Sequence, residues 1–253
     1  MMAMAEPDRG LAPTYIYLYG VADRGFELPS ADATGAELQL TPSGRVAAVH
    51  ALIERSTFDD LDSEDISETS RLAELARHHD RTLQTLAGAG TVLPVRLGTL
   101  FPDIEAMLAL IAETEDGLVE QLDRVRGCHE WAVRVRELRD SAVPDDADST
   151  GTEYLQHRRN ERDARNDRRE VVVATMTSID DTLSRLADAV AGPGVGTSLS
   201  MSRAYLVHDG AQADFAAAVT EAAAELAELR CTLAVSGPLP AYSFVGVRWG
   251  VPD

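Results

Sequence analysis

The chain has 253 residues, is 45% hydrophobic, and carries a net charge of −19 from 42 acidic and 23 basic residues. That apolar content can fill one large core or two small ones, whereas so acidic a surface repels phosphate backbones, and no nucleic acid partner is expected. Every basic residue is arginine, which excludes lysine Schiff bases and a P-loop lysine, and two cysteines, Cys128 and Cys231, are too few for a disulfide framework or a structural zinc site.

From the start, Met1 to Pro13 carries Glu6 and Asp8 and has no apolar centre, and no run approaches the roughly 18 residues of a membrane span. The expectation is a protein of the reducing cytoplasm, without a secretory leader or membrane anchor. Tyr15, Ile16, Tyr17, Leu18 and Tyr19 form an aromatic and β-branched run closed by Gly20, which predicts the first strand. Val46 to Ile53 predicts another, paired with Glu37 to Leu40. Asp65 and Glu68 suggest a capping box ahead of an amphipathic helix with Leu72, Leu75, His79, Leu83 and Leu86 at three- and four-residue steps. Val92 to Leu97 reads as a buried strand interrupted by Pro94. After Pro102 a second helical region carries Ile104, Leu108, Ile111, Leu118, Leu122 and Val125, and the alternation of Trp131, Val133 and Val135 marks a half-buried strand.

The stretch Asp140 to Gly151, with Pro144, Asp145, Asp146 and Asp148, reads as a solvated linker, so the expected domains are 14–139 and 151–253. A long helix follows from Thr152 to about Ala191. Its first half is charged, with six arginines between Arg158 and Arg169, and its second half carries the seam Val172, Met176, Ile179, Leu183, Leu186 and Val190. The expected role of that seam is intramolecular core. Met201 to His208 is a strand, Asp209 and Gln212 cap a further helix with Phe215, Val219, Ala222, Leu226 and Leu229, and Cys231 to Val235 is the last strand. The fold class expected is α+β: an N-terminal α+β domain, then a small α+β sandwich with helices on one face of an antiparallel sheet.

No catalytic constellation emerges. His78 and His79 are adjacent and diverge on a helix, Cys128 and His129 point to opposite faces of a strand, and Gly192 to Gly196 is expected to end a helix and feed a strand, the reverse of a phosphate-binding order. Arg96 lies in an otherwise apolar strand, either paired with a carboxylate, the favoured reading, or facing a partner.

Four segments, taken together, resemble the gas vesicle protein F/L family (GvpF/GvpL). They are Tyr15-Ile-Tyr-Leu-Tyr-Gly20, Leu93-Pro-Val-Arg-Leu-Gly-Thr99, Gly151-Thr-Glu-Tyr-Leu155 and Gly237-Pro-Leu-Pro-Ala-Tyr-Ser-Phe-Val245, with Leu97, Leu239 and Ala241 departing from the family's usual residues. The resemblance implies an N-terminal α+β domain and a C-terminal ferredoxin-like α+β domain with a long helix. It also implies a non-enzymatic accessory protein, without cofactor, that contacts the small hydrophobic shell protein GvpA and other gas vesicle accessory proteins and limits shell-protein aggregation. The location it implies is the cytoplasm and the gas vesicle. The partner-binding or structural candidates are then Leu93, Pro94, Arg96, Gly98, Tyr154, Gly237, Pro238, Pro240, Tyr242 and Phe244. The alternative from another class is a small-molecule-binding or enzymatic protein on ferredoxin-like domains. It calls for a deep pocket holding titratable groups of perturbed acidity.

Overall fold

The computed structural model describes residues 13–59, 67, 70–138, 151–196 and 200–246. Its first strand, β1 (Thr14–Asp23), is buried continuously from Ile16 to Ala22, so both alternating sets of side chains are covered and β1 is central. A short helix α1 (Ala31–Thr34) leads to the hairpin of β2 (Gln39–Ser43) and β3 (Val46–Glu54), and α2 (Ser56–Asp59) follows. Helix α3 (Arg71–Ala89) starts at Ser70, whose hydroxyl accepts from the Ala73 N–H. The expected capping box at Asp65 and Glu68 lies outside the described residues. Strands β4 (Val92–Pro94) and β5 (Leu100–Phe101) and helices α4 (Ile104–Glu113) and α5 (Glu115–Val125) complete the first unit. Its antiparallel sheet runs β2-β3-β1-β4, with β5 also on β1. Leu83 and Leu86 of α3 and Met107, Ile111, Leu118 and Leu122 of α4 and α5 are buried within this unit.

The second unit begins with β6 (Cys128–Glu137) and continues through α6 (Gly151–Arg185), β7 (Ala189–Ala191), β8 (Ser200–His208), α7 (Gln212–Glu228) and β9 (Cys231–Leu239). Its sheet order, β7-β8-β6-β9, is antiparallel throughout, and a β-α-β-β-α-β chain wound this way is the ferredoxin-like arrangement. Val172, Met176, Ile179 and Leu183 of α6 pack with Phe215, Val219 and Leu226 of α7 over Val133, Val135, Met201 and Tyr205 of the sheet.

Two expectations need correction. Chain contacts divide at Arg126/Gly127, with Val245 and Gly246 grouped in the first unit, rather than at a linker after residue 139. The physical reason is that β6 pairs with both β8 and β9 and supplies the central strand of the second sheet. A composition shift marks where the chain is solvated, not where its hydrogen-bond partners lie. The long helix also ends at Arg185, because Asp188 N–H bonds Leu206 C=O and Ala189–Ala191 then pair with β8. Val190 still reaches the core expected of it, but from a strand.

Candidate interaction surfaces

The segment Leu93 to Thr99 is a strand for only its first two residues. Leu93 and Pro94 are buried in β4, opposite Val21 and Gly20, and the chain then turns back on the same edge of β1. Val95 N–H bonds Tyr19 C=O at 3.0 Å, and Leu18 N–H bonds Thr99 C=O at 3.0 Å, bracketing the bulge in β1 between Leu18 and Gly20. Gly98 sits at φ +81°, a left-handed position that favours glycine, and Thr99 donates through N–H and Oγ1 to Arg96 C=O. Arg96 is therefore exposed at a turn held by four hydrogen bonds. Among the described residues no carboxylate pairs with it, which corrects the favoured reading of a cross-strand ion pair. The turn also explains Gly20, where a Cβ would sit 2.6 Å from Leu93 O and 2.7 Å from Val92 Cγ1.

The same turn supports a buried aromatic cluster. Tyr17 and Tyr19 meet edge to face at 4.7 Å, Tyr19 stacks on the His79 ring at 5.5 Å, and Tyr17 stacks on Phe58 of α2 at 5.7 Å. Val95 C=O, 3.1 Å from His79 Nε2, can only accept, so Nε2 carries the proton and Nδ1 accepts from Tyr17 OH at 2.6 Å. Burial pushes the His79 pKa down and the Tyr19 pKa up to about 12, so both rings are neutral at physiological pH. Beside this cluster lies a cavity of about 280 Å³, walled by Tyr17, Tyr19, Phe58, Leu75 and His79, with Glu37 at its rim. Sequence pattern marks Tyr17, Tyr19, Leu75 and His79 as inward-facing but gives no hint of the cavity, because it depends on where Phe58 and the 35–37 loop settle.

In the second unit, Gly237 to Leu239 end β9 beside β6, and the strap continues to Phe244. Gly237 lets the backbone approach Trp131, since a Cβ there would lie 2.7 Å from the indole ring. Pro238 is exposed and Pro240 buried; Ala241 and Phe244 are buried and Tyr242 is half-buried. The strap closes in a 3-10 turn over Tyr242–Phe244. It is pinned by Glu130, whose buried carboxylate accepts from Ser243 N–H at 2.7 Å and Ser243 Oγ at 2.8 Å. Tyr154 lies in the first turn of α6, and its side chain is outside the described residues.

The sequence reading also passes over a polar network beneath α6. Asp180 is buried and accepts from Arg203 through Nε at 3.2 Å and Nη2 at 2.8 Å, and from Tyr205 OH at 2.6 Å. Arg203 Nη1 donates to Gly192 C=O, and the loop wraps the guanidinium so closely that a Cβ at Gly194 would meet Nη2 at 3.0 Å. The 192–196 loop thus joins β7 to β8 around an arginine and is not the end of a helix. A signal existed: Asp180 stands four residues after Met176 on the apolar face of its helix, and Arg203 is in phase with Met201 and Tyr205.

Nothing in these clusters sets up a nucleophile. Burial pushes the Cys128 thiol up to about 12, assisted by Asp188, whose carboxylate accepts from Sγ at 3.3 Å, and burial also raises Cys231. His129 Nε2 lies 3.1 Å from Asp209, but among the described residues no group of three His, Cys, Asp or Glu side chains could hold a metal ion. No described helix is long and apolar enough to cross a membrane.

Comparison with known proteins agrees over most of the chain. Residues 15–246 match the family of the gas vesicle synthesis protein GvpL/GvpF. Gas vesicle protein L of Streptomyces sp. (strain CB03234) is 27% identical over 254 aligned positions, covering 91% of this chain and 92% of the relative. The crystal structure of GvpF from Anabaena sp. PCC7120 superposes with a TM-score of 0.63 at 16% identity, covering 93% of this chain and 97% of that one. GvpF from Microcystis aeruginosa gives 0.63 at 17% identity, over 92% and 99%. At these identities the two structures speak for the fold, a mixed helix and sheet architecture with two antiparallel sheets.

Proposed function

The chain belongs to the gas vesicle synthesis protein GvpL/GvpF family, and on that premise we propose that it binds the small hydrophobic shell protein GvpA and limits its aggregation while vesicles are nucleated. The observation that carries this reading is the extent of the family match, residues 15–246, which takes in all four motifs whole. The motifs pack the protein rather than build a reaction centre. Leu93, Pro94 and Gly98 shape a turn that presents Arg96, while Gly237, Pro240 and Phe244 seat the strap. Arg96 is the partner contact we assign within its motif, because it is the motif's charged side chain and is exposed. The protein works from the cytoplasm, together with other gas vesicle accessory proteins, and uses no cofactor.

Co-expression with the shell protein, followed by co-purification and light scattering, tests this. The expected result is a soluble complex and reduced scattering, with Arg96→Ala keeping the wild-type melting temperature but suppressing aggregation less. Undiminished scattering without co-purification rejects the chaperone role. Floated vesicles washed in urea and probed with an antibody then separate a retained component from a soluble factor.

A further inference from the structure

The outer edge of β3 loses its neighbour partway along. β2 covers Val46 to His50 and stops at Gln39, whereas β1 pairs with β3 as far as Glu54. Among the described residues, Ala51–Glu54 therefore have a strand on one side only, and no other backbone hydrogen bond reaches them. Such an edge presents unpaired N–H and C=O groups and templates a further extended chain. Leu52, in this stretch, is a large apolar residue that is 54% exposed. Ala51, Leu52 and Ile53 also form one lip of the 280 Å³ cavity beside His79, so the open edge and the apolar hollow are one place.

Charge narrows the occupant. Glu37 and Glu54 are exposed beside the groove, while the nearby Arg55 guanidinium is held 4.5 Å above the Tyr15 ring. We propose that the β3 edge at Ala51–Glu54 and the adjoining cavity form a docking groove for an extended segment of a partner protein. The segment adds as a strand, places one bulky apolar side chain against Phe58 and Leu75, and follows it with a basic residue facing Glu37 and Glu54. Unpaired backbone calls for a strand rather than a helix, with main-chain bonds supplying affinity and the cavity supplying selectivity. A second copy of this chain, itself at −19, is repelled rather than drawn in. The proposal rests on the shell-protein reading only for the identity of the partner.

The test uses the full chain and two synthetic peptides of alternating valine and threonine with one central leucine, one flanked by lysine and the other by aspartate. Binding is read by fluorescence anisotropy, and hydrogen exchange is followed along β3. The lysine-flanked peptide is expected to bind about tenfold more tightly and to slow exchange at the Ala51–Glu54 amides. Leu52→Arg, at an exposed position, is expected to keep the melting temperature and weaken binding about tenfold; Ala36→Trp, which narrows the cavity from its rim, is expected to weaken it as well. No binding up to about 1 mM, equal binding of both peptides, or binding that leaves exchange at Ala51–Glu54 unchanged overturns the proposal. Protection that rises with protein concentration in the absence of peptide also overturns it, by identifying a second copy as the occupant. Capture of the shell protein is measured in parallel. If wild type and Leu52→Arg capture it equally, the groove fails and the functional reading stands. If wild type captures none while the lysine-flanked peptide docks as expected, the functional reading fails and the groove stands.

Discussion

Removing the Asp180 carboxylate is the sharpest probe of the second unit. Asp180→Ala leaves the Arg203 guanidinium without its fork and the buried Tyr205 hydroxyl without its acceptor. Breaking a fully buried pair from one side costs about 3 to 5 kcal/mol. The Arg203 side chain is 26% exposed, so water recovers part of that, and about 2 to 4 kcal/mol is the expected loss. For a chain of this size the loss corresponds to a fall of about 4 to 16 °C in the melting temperature of this unit. Trp131, packed on Phe215 at 5.6 Å, reports the unfolding of this unit in a Trp249→Phe background. Asp180→Asn, which keeps oxygen as an acceptor, is expected to lose about half as much, and Tyr205→Phe about 1 kcal/mol. A double-mutant cycle with Arg203→Met is expected to give coupling above about 1.5 kcal/mol. Coupling near zero, or Asp180→Asn proving worse than Asp180→Ala, refutes the idea that this network holds the unit together.

The first unit is expected to be acid-sensitive. Burial depresses the pKa of both His50 and His79 in the folded state, so the unfolded chain binds protons first, and stability falls as pH drops below about 6.5 by up to about 1.4 kcal/mol per pH unit for each histidine. Urea melts between about pH 5 and about pH 8 should show that slope, and His79→Gln should reduce it. Gly20→Ala drives a Cβ into Leu93 O and Val92 Cγ1 and is expected to destabilise the first unit by about 1 to 3 kcal/mol, read by denaturant melts. Truncation after Ser236 strands the buried Glu130 carboxylate and removes Phe244; a loss of about 3 to 6 kcal/mol in the second unit follows. An unchanged melt with lost shell-protein binding would instead make the strap a contact surface.

Periodicity made most elements legible. Alternating Trp131, Val133 and Val135 marked β6, and Val172, Met176, Ile179 and Leu183 marked the buried face of α6, because burial repeats every two residues in strands and every three or four in helices. The strand at Val92 was overextended because Val95 and Leu97 are apolar, and local pattern cannot show that the chain leaves the sheet to bypass a bulge in β1. Nor can it assign β6 to its sheet, since that depends on partners far along the chain. The candidate residues Leu93, Gly98, Gly237 and Phe244 came from family resemblance, and the structure supplies the physical reasons that sequence alone lacks. Glu130 and the open edge of β3 had no sequence signal, because each is defined by what lies across from it.

The position of β6 sets the order in which the second sheet can assemble during synthesis. Its central strand leaves the ribosome first, and its two flanking strands, Ser200–His208 and Cys231–Leu239, follow only after α6. Until then Val133 and Val135, which end in the core, belong to a strand with two open edges, a state prone to pairing with other chains. The chain therefore passes through a vulnerable interval during its own synthesis, one that closes only when β9 is in place.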